Sequence, residues 1–180
     1  MITEQEREAA LALLTRSRQT FLDAVAGVTE NQARWKPGPD RWCILEYAEH
    51  MAISDDALVA LVERALQNPP TPETPEQRAA REKKIRETPM PRGVNRAPDM
   101  IRPTSRFRSL KDAVDAFLEA RERTLDYARK TQANLRDHFS PHSVLGPLDG
   151  YQWLTANARH VENHSGHIRE IRTMEGFPAN

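Results

Sequence analysis

Three histidines near the C-terminal end, His160, His164 and His167, follow one another at steps of four and three residues. On a helix that spacing stacks the imidazoles along one face. His160 and His164, one turn apart, can aim a ring nitrogen each at a single ion. His50 lies far upstream, on a helical face shared with Tyr47, Ser54, Ala57 and Leu61. Two readings of it stand: a core histidine satisfied by its surroundings, or a third ligand if its helix neighbours the one bearing His160. Three neutral imidazoles would leave coordination positions open, as in catalytic rather than closed structural zinc sites. Imidazole suits zinc, nickel, copper or iron alike, so the donors do not choose the metal. His167, one turn past His164, is a fourth ligand, a partner to a ligand, or an acid/base group. His138 and His142 fall in a loop and are expected to be exposed.

Other chemistries find less support. Cys43 is the only cysteine, which excludes an internal disulfide and a Cys-rich zinc site. It is read as packing, not as a nucleophile. The chain shows no phosphate-binding loop, dinucleotide fingerprint or Ser/His/Asp order.

Helices must position these side chains. Trp153, Asn157, His160, His164, His167, Ile171 and Met174 alternate steps of four and three, the spacing of a seam that faces a core. Asp149-x-x-Gln152 is a capping-box pattern that opens this segment, and Gly176 follows its end near Met174. Thr3-x-x-Glu6 opens a first helix over residues 3–27, with Leu11, Leu14, Leu22 and Val25 as its stripe. A second runs from Cys43 to Gln67, and a third starts at Ser109-x-x-Asp112 and continues to about Ala128. Residues 69–103 hold eight of the thirteen prolines, so no long regular element fits there beyond a short helix over 75–86. That helix carries a basic run, Arg78, Arg81, Lys83, Lys84 and Arg86, read as a solvated face or as a patch for an anionic partner. Residues 136–149 read as loop. The pattern predicts an all-α fold, a four-helix bundle in one domain over residues 1–180, with a long proline-rich connection between helices two and three.

The chain has 180 residues with 26 basic and 26 acidic side chains, a balance that argues against nucleic acid as a partner. No segment approaches the ~18–20 uninterrupted apolar residues of a membrane span. The N-terminus lacks a basic region followed by an apolar core, so a cytoplasmic location is expected.

Three local patterns carry a family resemblance. Trp42-Cys43-Ile44-Leu45-Glu46-Tyr47-Ala48-Glu49-His50 looks like a Trp-Ser-x-x-Glu-x-x-x-His motif at the start of a second helix. Arg102-Pro103-Thr104 with Phe107-x-Ser109 resembles an entry into a third. Leu148-Asp149-Gly150-Tyr151-Gln152-Trp153-Leu154, then His160-x3-His164-x2-His167-Ile168, completes the set. In order and over nearly the whole chain, these resemble the DinB/YfiT-like superfamily of four-helix metalloproteins.

The resemblance implies an antiparallel bundle and a metal triad of His50, His160 and His164. Zinc, nickel or iron is the expected divalent ion. Relatives include thiol-dependent S-transferases, and a mycothiol-dependent maleylpyruvate isomerase has a related domain. A metal-dependent small-molecule enzyme, an S-transferase using a low-molecular-weight thiol or a hydrolase, is therefore the leading expectation. The alternative is a non-catalytic, metal-stabilised binding or stress-associated interaction module. Homodimers are common in the family. Tyr47, Trp153 and Asn157 are the expected pocket residues, and His167 the expected catalytic group, with Glu46 or Glu49 as further proton carriers. Two positions depart from the pattern. Cys43 stands where serine or threonine is usual, a weak helix cap that loosens the helix entry by about 1 kcal/mol. His167 stands where glutamine is common and adds a titratable group.

Overall fold

The structure, a computed structural model, describes residues 1–89 and 97–179. It is mostly helical. Helix α1, Glu4–Val25, begins where Thr3 accepts from the Glu6 N–H at 3.1 Å and Glu6 accepts from the Thr3 N–H at 2.7 Å. Its buried face, Ala10, Leu14, Ser17, Phe21 and Ala24, alternates steps of four and three. The chain leaves it through Gly27 at φ +71°, a left-handed conformation that glycine adopts without a Cβ penalty. A five-residue helix α2, Glu30–Arg34, follows under its own Thr29–Gln32 capping box and was not expected from the apolar pattern, being too short to show a period.

Helix α3, Ile44–Leu66, buries Ile44, Ala48, Met51, Asp55, Leu58, Val62 and Ala65, again at steps of four and three. Helix α4, Pro75–Glu87, has Thr74 as its cap and proline in its first turn. Only Ile85 of α4 is buried. Part of its basic run is occupied: Arg81 pairs with Glu73 and donates to the Pro147 carbonyl at 2.8 Å, and Arg78 lies 3.7 Å from Asp137. A short 3-10 turn spans Asp99–Ile101. Residues 90–96 of the proline-rich connection lie outside the described residues. Helix α5, Leu110–Lys130, starts where Ser109 accepts from the Asp112 N–H at 3.0 Å.

Residues 136–149, expected as loop, contain a hairpin. Strand β1, Phe139–His142, pairs antiparallel with β2, Gly146–Asp149. Two prolines hid it from the sequence pattern. Pro141 stands opposite Pro147, so neither asks the other for an N–H the ring lacks. Strand β2 runs directly into helix α6, Gly150–Arg172.

The four long helices close a ring: α1 packs against α5 and α6, and α3 against the same two. One polar node ties all four. Arg121 of α5, fully buried, donates to Asp55 of α3, to the Leu14 carbonyl and Ser17 Oγ of α1, and to Asn157 Oδ1 of α6 at 2.9 Å. Thr124 adds a hydrogen bond to Asp55 at 3.1 Å. Among the described residues no helix is long and apolar enough to cross a membrane.

Candidate metal centre

The histidine-bearing part of α3 is fixed at its N-terminus. Cys43 occupies the cap position, and its backbone N–H donates to Glu46 at 2.7 Å. Glu46 also pairs with Lys36 Nζ at 2.6 Å. Trp42, buried just before the helix, packs its ring 5.3 Å from Tyr47 and 4.9 Å from His50. One turn into the helix, His50 and Glu49 reach the connection that enters α5. His50 Nδ1 lies 2.7 Å from the Ile101 carbonyl. Glu49, buried, accepts from the backbone N–H groups of Thr104 at 2.7 Å and Arg106 at 3.2 Å. Between those donors Ser105 takes φ +61°, a conformation costly for a residue with a Cβ, and the shared carboxylate offsets that cost.

The other half of the site sits on α6. Asp149 accepts from the Gln152 N–H at 2.7 Å, and Gln152 accepts from Asp149 in return. Buried Arg136 braces that cap from 3.1 Å. From this start the helix carries His160 and His164 on the face toward α3. His160 Nε2 lies 2.9 Å from His50 Nε2 and 2.8 Å from His164 Nε2. One nitrogen from each of the three residues thus falls within 4.8 Å of the others.

The chemistry of these nitrogens fits a cation. Ile101 O can only accept, so His50 Nδ1 carries the proton and Nε2 presents a lone pair. A hydrogen bond across the 2.9 Å contact would need the proton on His160 Nε2. That one proton cannot also form a straight hydrogen bond to His164. A cation takes lone pairs from all three. Burial supports the same state: it pushes His50 down to about 4, with the Ile101 bond opposing the shift. His160 and His164 lie well below the usual imidazole range, because burial penalises their charged forms and the neighbouring imidazoles add repulsion. All three are neutral at pH 7, the form that ligates metal. His164 Nδ1 is buried and makes no hydrogen bond among the described residues.

A cavity of about 280 Å³ opens on the cluster. Its walls include Trp42, Tyr47, Leu61, Met100, Ile101, Val144 and Trp153 beside the three histidines and His167. Tyr47 and Trp153, expected as pocket residues, are among the lining side chains. Asn157 does not line the cavity. Its side chain points the other way along the seam, to Arg121. His167 stands on the wall, its ring 5.4 Å from His164 and 5.5 Å from Tyr47. Glu46 and Glu49 are engaged elsewhere, as described, and neither lines the cavity.

Sequence reasoning missed His142. Its place in an expected loop suggested exposure, yet it is half-buried and lines the cavity. Its ring packs 5.1 Å from Trp153, and Nδ1 accepts from the N–H groups of Val144 at 3.1 Å and Leu145 at 3.2 Å. No sequence signal marked it, because the hairpin that brings the turn back over α6 is hidden by its two prolines. His138 instead places Nδ1 2.7 Å from the Asn68 carbonyl, away from the cavity.

A comparison with curated proteins finds no match. A family model, that of the DinB superfamily, matches residues 13–168.

Proposed function

The chain belongs to the DinB superfamily, and from that premise we propose that it is a metal-dependent enzyme of small-molecule chemistry, of thiol S-transferase or hydrolase type. The observation that carries this reading is the convergence of three Nε2 atoms from α3 and α6 at the head of a cavity. His50, His160 and His164 would hold a zinc, nickel or iron ion. When bound, such an ion supplies Lewis acidity and makes a thiol or a water molecule more acidic near neutral pH. Around it, the chain's own residues divide the work. Ile101 fixes the tautomer of His50. Tyr47, Trp42 and Trp153 enclose the ligand and exclude water. His167 is the catalytic group of this proposal, taking or giving a proton beside His164.

The frame is a single domain, an antiparallel four-helix bundle whose proline-rich connection supplies part of the cavity rim through residues 97–101. The protein acts in the cytoplasm, as a homodimer, on a small molecule, with no nucleic acid and no membrane as partner. The S-transferase form uses a low-molecular-weight thiol as second substrate.

The test is elemental analysis of the full chain purified without a polyhistidine tag or chelator. About one divalent ion per chain is expected, with more than nine-tenths of it lost in His160→Ala. A wild-type chain with almost no metal, unaltered by His160→Ala, would end this reading. A panel of thiol conjugations and ester hydrolyses on the metal-loaded chain then distinguishes the two reaction types, and either activity must vanish in His160→Ala.

A further inference from the structure

The cavity wall contributed by the hairpin has features that the metal triad does not use. His142 is held at one ring edge and on one ring face. Its Nδ1 accepts from two successive backbone N–H groups, at 3.1 Å from Val144 and 3.2 Å from Leu145. Its ring packs against Trp153. Trp153 in turn donates from Nε1 to Ser140 Oγ at 2.8 Å, which ties β1 to α6. Because Nδ1 is an acceptor, a neutral imidazole here carries its proton on Nε2. That N–H makes no hydrogen bond within the described residues, and His142 lines the cavity. A fixed donor without a protein acceptor, on the wall of a cavity, is an arrangement suited to a ligand.

The remaining lining narrows the ligand. Among the described residues the wall carries no lysine, arginine, aspartate or glutamate. Aromatic and aliphatic side chains make up most of it, with the imidazoles as the main polar groups. An ionised carboxylate or ammonium placed against the hairpin wall, away from the triad, would lose its hydration without gaining a charged partner from that wall.

We infer that His142 positions the substrate by donating its Nε2–H to a carbonyl-type acceptor on a small molecule whose part against the hairpin is an uncharged, aromatic or branched apolar body. This rests on the proposed function in taking the cavity as the site of reaction. Binding through His142 itself needs no metal. The residue acts on orientation, since a donor fixed by the hairpin holds the acceptor at one place while the reacting group meets the triad.

Three probes separate the components: acetophenone, which carries the acceptor; α-methylstyrene, which has nearly the same shape without it; and benzoate, which is charged. Affinities are measured by ligand-observed NMR on the full chain treated with chelator, so failure of the metal reading leaves this result intact. Metal content of the untreated preparation reports on the metal reading separately. The informative variant is His142→Asn. Its Oδ1 can still accept from the turn N–H groups, as in an Asx turn, while the Nε2–H donor is removed. Acetophenone should bind the wild-type chain more tightly than either other probe and weaken about fivefold in His142→Asn, the effect of one neutral hydrogen bond. α-Methylstyrene should bind both proteins alike.

Equal weakening of acetophenone and α-methylstyrene would assign His142 a structural role and overturn the inference. An unchanged acetophenone affinity, or no binding of it at all, would do the same. Benzoate binding as tightly as acetophenone would overturn the uncharged ligand class. Should His142→Asn not fold, the wild-type chain still decides: acetophenone, but not α-methylstyrene, must shift the His142 Nε2 resonance.

Discussion

His50 uses both ring nitrogens, one on the Ile101 carbonyl and one toward the histidines of α6. Its protonation is therefore linked to folding. In the unfolded chain a histidine binds its proton near pH 6.5; in the folded chain burial lowers that of His50 to about 4. Between these values the unfolded chain holds more protons. Stability is thus full above pH 6.5, falls as pH drops toward about 4, and for this group changes no further below that. The loss from His50 alone is on the order of 3 kcal/mol at most, and His160 and His164 act in the same direction. Melting of the chelator-treated chain should show Tm falling between pH 7.5 and 5, with a smaller fall in His50→Gln. A Tm that stays level across that range would contradict neutral burial of the cluster. At this scale the sequence displayed the spacing of the histidines and was silent about what fixes their rings. The step of four between His160 and His164 is local, so the sequence displays it. The acceptor for His50 is a backbone carbonyl fifty-one positions away, and carbonyls carry no sequence signal.

Adjacent side chains of α3 show how an element without regular structure is placed. Glu49 and His50 reach the same stretch, one to the N–H groups of Thr104 and Arg106, the other to the Ile101 carbonyl. Glu49 is 1% exposed, so removing it leaves two backbone donors short of an acceptor in a nearly dry setting. Glu49→Ala should cost about 1–3 kcal/mol, while Glu49→Gln, which keeps a carbonyl oxygen there, should cost less. Amide exchange at Thr104 and Arg106 should rise in the alanine variant and much less in the glutamine one; equal exchange in both and in wild type would show that the carboxylate does not hold this segment. Elements defined by local chemistry were legible. Thr3, Ser109 and Asp149 each cap the helix that their spacing announces. The hairpin was not, because its strands are four residues long and each contains a proline, the usual mark of a loop. With the hairpin went His142, since only its return over α6 gives that histidine a wall to belong to.

The whole molecule is held by a polar centre that no periodicity reveals. Asp55 occupies a seam position of α3 that the apolar pattern would fill with leucine, and Arg121 meets it from α5 with both side chains fully buried. Neither residue signals the other, because the pairing exists only once α3 and α5 are side by side. Arg121 also satisfies Leu14, Ser17 and Asn157, so the node fixes the register of four helices and, through Asn157, the rotation of the helix that bears His160. A buried pair of this kind need not add net stability, but breaking it leaves a charge without a partner, at a cost of about 3–5 kcal/mol. Arg121→Met should therefore lower stability by about that amount, and the double variant Asp55→Leu with Arg121→Met should recover a large part of it. The consequence for the site is separate. Asn157 lies three positions before His160, about one turn, so releasing it loosens the angle at which His160 and His164 face His50. In the double variant, stability returns while metal affinity stays below wild type. Denaturant melts and metal titrations on wild type, Arg121→Met and the double variant measure both quantities. Metal affinity that recovers in step with stability would mean that the node holds the fold alone and leaves the orientation of the histidines to the helix itself.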